Sequence, residues 1–341
     1  MQAPTHFRYV EHSGWPRLAW LAKATVGCAE VEVRHGNMVE TADDWFCEAV
    51  CDGPFEAGDF DRTDLIFGSG ARRRSTTVGF ISSGSTCDRL HSSQLGDSIW
   101  VSNSLACLLT TTGATLDPTA SGYATFFEST VKGIREYDRY LPTSLGPVRF
   151  TYFNNLNWDG RTLTEVGKPN PSRDFGNFDK YRSFLHASMA SVATNMASSA
   201  RKHAFSMLGT LSSGYDSPAV VALACQHGLT EAISITAARG GHNDSGVEIA
   251  KLNRLSENSV SSTPLRRRRL PPSSLSMAAR EVRAVALPAA RGVDVAMAGV
   301  RPGKSVSDQA RRETAAGDHS TGASVQVRLP WAIARAGQRY V

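Results

Sequence analysis

The pattern of apolar and polar positions divides the chain into regions of different period. Short apolar runs bounded by Gly, Ser or Asp dominate the first 150 residues, with Asp64–Gly68, Thr77–Ser82 and Ser98–Ser102 the clearest. Runs of that length, rich in β-branched and aromatic residues and closed by turn formers, predict strands. From Phe178 to Lys202 the period changes: Tyr181, Leu185, Met189, Val192 and Met196 recur at three- and four-residue steps. This spacing predicts one stripe of a helix, with Arg201 and Lys202 at the C-terminal end that the macrodipole favours for cations. His186 on the same helix reads as a core or surface histidine rather than a catalytic one. The Asn-, Pro- and Gly-rich stretch before the helix, from Asn154 to Asn177, reads as a linker.

Beyond the helix the pattern alternates again. An apolar run through Leu208 and Leu211 predicts a buried strand that breaks into the turn Ser212-Ser213-Gly214-Tyr215. Asp216, Ser217 and Pro218 then open an alanine-rich helix ending at Gly228. Glu231–Ala237 predicts a second strand, followed by the polar loop Arg239–Asn243. A further helix is expected from Asp244, where Ser245 and Glu248 have capping-box spacing. Strand, loop and helix repeated in this way predict the opening of a doubly wound parallel sheet, which binds nucleotides at the C-terminal ends of its strands.

The turn before Asp216 carries the candidate chemistry. Free amide N–H groups of the first helical turn and the positive end of the helix dipole converge on one place, which suits a polyphosphate. Gly214 lets the backbone approach an oxyanion closely. Ser212 and Ser217 add hydroxyl donors, and Pro218 suits the first helical position, where an N–H is not needed. The plain structural role of Asp216 or Ser217 is an N-cap worth about 1 kcal/mol, and the two roles are compatible.

Ser212-Ser213-Gly214-Tyr215-Asp216-Ser217 resembles the pyrophosphate loop of the N-type ATP pyrophosphatases, S-G-G-x-D-S, with Ser213 in place of the first glycine. The likeness extends to the asparagine synthetases over about Gly96 to Leu252. Trp100–Leu109 looks like the strand and helix that close their N-terminal domain, and Leu116-Asp117-Pro118 and Gly133 to Pro142 look like the linker after it. The resemblance implies an α/β fold: an incomplete doubly wound parallel sheet of pyrophosphatase-loop type, preceded by a strand-rich α+β domain. It also implies ATP and Mg²⁺ as cofactors and a small carboxylate as substrate. On it, Ser212, Ser213, Gly214 and Ser217 contact the pyrophosphate, with Tyr215 in the same loop. Asp216 fixes the loop and reaches the metal through a water. Ile235 and Thr236 frame the adenine, and Asp244 lies near the ribose or the phosphates. The implied reaction is adenylation of a carboxylate, release of pyrophosphate, and attack by an amine or ammonia. Another pyrophosphatase-loop ligase, tRNA-modifying or β-lactam-forming, and a non-catalytic relic that at most binds ATP stand as alternatives.

The resemblance also bears on both ends of the chain. In that family the N-terminal domain is a glutaminase whose nucleophile is the cysteine exposed by removal of the initiator methionine. Here position 2 is Gln2 and the nearest cysteine is Cys28, so no amidohydrolase activity is expected. The expected divisions are 1–150, glutaminase-like in shape; 151–177, linker; 178–255, the start of the nucleotide-binding domain; and 256–341, an Arg/Ala-rich tail. That tail is expected to be disordered or read out of frame. It lacks the family's later glycine-rich acidic loop, so ATP binding with little turnover is expected. Val293–Gly299 followed by Val300-Arg301-Pro302-Gly303-Lys304-Ser305 mimics a Walker loop, but only three residues separate its glycines instead of four.

Bulk composition excludes some classes. At 41% hydrophobic and 20% charged residues, the chain has the make-up of a soluble protein, and a cytoplasmic one is expected. No apolar stretch reaches membrane-spanning length, so no membrane partner is expected. The net charge of +5 invites a nucleic-acid partner, yet much of the arginine lies beyond Leu265 with almost no aromatic residues to stack bases, so none is expected. Six cysteines without regular spacing fit free thiols, and Cys47 and Cys51 lack the further ligands of a zinc site.

Overall fold

A computed structural model describes residues 5–117, 122–211, 216–235, 260–263 and 325–328. It divides into two compact units. The first holds residues up to Arg173 together with Ala200–Lys202, and the second holds Asp174–Ser199 and the strands that follow His203.

The first unit begins with β1 (His6–Glu11), β2 (Trp20–Thr25), β3 (Glu30–His35), β4 (Glu40–Thr41), β5 (Trp45–Cys47) and β6 (Val50–Cys51). There follow β7 (Ile66–Phe67), β8 (Gly70–Arg74), β9 (Thr77–Ile81), β10 (Leu90–Leu95), β11 (Ser98–Ser102), α1 (Leu105–Thr112) and α2 (Tyr123–Glu128). It closes with β12 (Tyr140–Leu141), β13 (Val148–Thr151), β14 (Asn155–Trp158) and β15 (Leu163–Val166). One sheet runs β1-β3-β2-β11-β10-β13-β12, antiparallel except for the parallel β1–β3 pair; a second runs β15-β14-β9-β8-β5-β4. The two-residue period of the strands decides the packing. Trp20, Ala22, Val33 and Val101 of the first sheet share a buried cluster with Phe46, Val78, Phe80, Leu156 and Trp158 of the second. Leu21, Val148 and Phe150 face the other way, against Leu105, Leu108 and Leu109 of α1 with Phe126 and Phe127 of α2 alongside. The result is a sandwich of two sheets with helices on one outer face.

Two expectations need revision here. The segment read as a linker contains the β14–β15 hairpin, paired from Asn155↔Val166 to Trp158↔Leu163 and joined to β9. Leu156 and Trp158 are almost fully buried, and burying both outweighs the Asn, Pro and Gly content that made the stretch look open. The stripe helix stops at Met196, so Arg201 and Lys202 do not complement its dipole. Arg201 is instead buried in the first unit, its guanidinium 4.2 Å from the Phe55 ring centre and donating to the Ala49 carbonyl at 3.0 Å. The Lys202 backbone N–H donates to the Glu40 carboxylate at 2.9 Å.

The second unit contains α3 (Phe178–Met196), β16 (Phe205–Leu211), α4 (Asp216–Cys225), β17 (Glu231–Ile235), β18 (Val260–Thr263) and β19 (Val325–Arg328). Asn177 caps α3, accepting from the Lys180 N–H at 2.9 Å, and Met189, Val192 and Met196 of the stripe are buried. The four strands lie in the order β18-β17-β16-β19, every neighbouring pair parallel. Two of them, β18 and β19, come from the 256–341 segment expected as a tail; its remaining residues, including the Walker-like stretch 293–305, lie outside the described residues.

Candidate functional site at the β16–α4 turn

Helix α4 sits against β16 because β16 carries a glycine where any other residue would interfere. A Cβ on Gly209 would lie 2.8 Å from Val221 Cγ2 and 3.2 Å from Leu229 Cδ1. Val221 and Ala224 form the buried face of α4. The helix ends through a left-handed Gly228 (φ +98°), with the Leu229 N–H reaching back to the Ala224 carbonyl at 3.0 Å. Leu229 is thereby folded into the same contact and is buried.

This packing fixes the start of the helix beside the end of the strand. β16 stops at Leu211 and α4 begins at Asp216, as expected from the sequence. Asp216 is exposed, whereas Ser217 is only 7% exposed. Pro218 is the third residue of α4 rather than the first, still within the turn whose N–H groups have no intrahelical acceptor. Leu211 pairs in register with Ser234, so Ile235, the last residue of β17, stands at the same C-terminal edge. Asp216 and Ser217 also border a partly open hollow whose walls include Leu208, Thr210, Val221 and Leu229. Of the sequence-predicted site residues, the fold thus gathers Asp216, Ser217 and Ile235 at one sheet edge. Ser212, Ser213, Gly214, Tyr215, Thr236 and Asp244 lie outside the described residues.

Sequence reasoning missed a polar cluster inside the first unit. Glu48 accepts from the Ser69 hydroxyl at 2.6 Å and from the Asn103 amide at 3.3 Å, while Trp20 Nε1 donates to Ser69 at 3.0 Å. Burial, reinforced by the neighbouring Asp88, pushes the Glu48 carboxyl up to about 8, although the Ser69 and Asn103 donors oppose the shift. Burial likewise lifts Asp88 to about 6. Lys168 donates to the Ser82 carbonyl at 2.6 Å and to Asn155 Oδ1 at 2.9 Å, and burial lowers its amine to about 7. These groups come from the β5–β6 connection, the β9–β10 loop and the chain after β15, and no local spacing announces them.

The cysteines carry no comparable chemistry. All six are free; Cys47 and Cys51 lie on two short strands, and burial pushes the Cys47 thiol up to about 12. A thiol so protonated is a poor nucleophile and metal ligand. Among the described residues no group of three or more His, Cys, Asp or Glu side chains is placed to hold a metal, and no helix is long and apolar enough to cross a membrane. A search of protein-family models and of curated protein sequences finds no match to this chain.

Proposed function

We propose that the second unit is the nucleotide-binding part of an asparagine synthetase-like, pyrophosphatase-loop protein, built as an incomplete doubly wound sheet, and that its ligand is ATP. The observation that carries this reading is the parallel β16–α4–β17 unit. It sets Asp216 and Ser217 at the C-terminal sheet edge, directly after residues 212–215 in the chain. Parallel sheets flanked by helices take nucleotides at that edge, and a helix start there offers N–H groups to phosphate. Two observations at this edge support the reading: Asp216 is exposed, and Asp216 and Ser217 border a small, partly open hollow.

In this reading the chain's own residues bind and orient. The hydroxyls of Ser212, Ser213 and Ser217 and the backbone at Gly214 hold the pyrophosphate end of the nucleotide. Ile235 and Thr236 flank the base, and Asp244 lies by the ribose or the phosphates. Asp216 steadies the turn and is free to hold a water of Mg²⁺, an ion that commonly binds through one or two carboxylates and substrate phosphate. When bound, Mg²⁺ would supply positive charge against the pyrophosphate that leaves on carboxylate adenylation. The sequence carries no later acidic loop for the second substrate, so the proposal is ATP binding with little turnover.

The test compares thermal unfolding with and without ATP and Mg²⁺. ATP should raise the midpoint of the wild-type chain, and Asp216→Asn, an exposed substitution that leaves the core intact, should reduce the rise at least severalfold. Ser217→Ala should act in the same direction, as should a pyrophosphate-release assay with aspartate if any turnover exists. An equal ATP shift in both variants removes the site; no shift in the wild type removes the function.

A further inference from the structure

We propose that His186 and His227 form a two-histidine site for a divalent first-row transition metal, represented by Zn²⁺. The two residues come from different elements of the second unit. His186 projects from α3, whereas His227 follows the last turn of α4, its N–H bonded to the Ala224 carbonyl at 2.9 Å immediately before the left-handed Gly228. Neither side chain is fully exposed, and α3 and α4 pack on each other.

The distance between the rings is the informative quantity. His186 Nδ1 stands 3.3 Å from His227 Nε2, with ring centres 5.6 Å apart and planes inclined at 60°. Two imidazole nitrogens bound at about 2.05 Å to a tetrahedral ion lie about 3.3 Å from each other. The nitrogen spacing therefore already equals the edge of the coordination tetrahedron. Rings sharing such an ion have centres about 5.2 Å apart, so each must swing by a few tenths of an ångström. The broad χ2 well of histidine permits that movement.

Without an ion the pair is held by one N–H donated from ring to ring. On binding, the donating ring releases its inner proton to water and takes one up at its outer nitrogen, so that both serve as neutral ligands protonated at Nε2 of His186 and Nδ1 of His227. Imidazole selects Zn²⁺, Ni²⁺ or Cu²⁺ over Mg²⁺ and Ca²⁺, which separates this site from the oxygen-rich chemistry at the β16–α4 turn. No third protein ligand converges among the described residues, so water completes the shell. An ion held here ties the C-terminal end of α4 to α3.

The full chain is titrated with Zn²⁺ against a chromogenic zinc indicator, alongside His186→Ala, His227→Ala and the double variant. The wild type should take up one equivalent more than any variant, and the double variant should lose no more than either single one. Uptake unchanged in the single variants overturns the proposal. A second measurement needs no variant: modification of histidines by diethyl pyrocarbonate, mapped by mass spectrometry. Zn²⁺ should slow modification of His186 and His227 together by at least severalfold, and unaltered rates at both overturn the site even if a variant fails to fold.

Discussion

A carboxyl group raised to about 8 by burial changes the stability of the fold across neutral pH, and Glu48 is such a group. Its folded value lies above its unfolded one, near 4.5. The resulting stabilisation is complete below pH 4.5 and is lost as pH rises towards 8. Asp88 acts in the same direction over a lower window, up to about pH 6. Lys168, lowered to about 7, acts oppositely above that value, so only a comparison at the Glu48 position isolates its effect. Glu48→Gln keeps an oxygen for Ser69 and Asn103 but cannot ionise. It should raise the thermal midpoint by several degrees at pH 8 and by much less at pH 5, measured by scanning calorimetry. Equal shifts at both pH values would mean that Glu48 ionises freely in the folded chain.

At the scale of elements, the seating of α4 on β16 depends on the absence of one side chain. Gly209→Ala would force a methyl group against Val221 Cγ2, and Val221 is β-branched and therefore stiff within a helix. Overpacking of this kind costs about 1–3 kcal/mol, and the substitution should lower the unfolding free energy of the second unit by that amount, read from denaturant unfolding followed by far-ultraviolet circular dichroism. It should also weaken the ATP-dependent shift, because the helix start moves with the helix. What was legible in the sequence was periodic or punctuated. The α3 stripe, the strands at Thr77–Ser82 and Ser98–Ser102, and the opening of α4 at Asp216 all follow from local pattern. The β14–β15 hairpin was not legible, because Asn, Pro and Gly nearby outnumber the two side chains, Leu156 and Trp158, whose burial decides the matter. The Glu48 cluster and the His186–His227 pair were equally hidden, since each is assembled from segments distant in sequence.

Across the whole molecule, two cores imply two reporters. Five of the six tryptophans, Trp15, Trp20, Trp45, Trp100 and Trp158, fall in the first unit. The two longest described helices, α3 and α4, fall in the second. Tryptophan fluorescence should therefore follow the first unit during denaturant unfolding, while helical circular dichroism follows mainly the second, and the two transitions should separate. Coincident midpoints would show that the units unfold as one.

The neighbours of β16 within its sheet differ greatly in sequence distance. Leu208 meets Glu231 shortly after it in the chain, but Phe205 meets Val325, about 120 positions later. Lengthening a closed loop adds little free energy, roughly 0.6 kcal/mol per doubling, so the separation matters less for equilibrium than for timing. During synthesis the ribosome finishes the first unit's strands β1 to β15, and then β16 and β17, long before β19 emerges. Over that interval the edge of β16 that β19 will cover presents unpaired amides and carbonyls, a place where mispairing can begin.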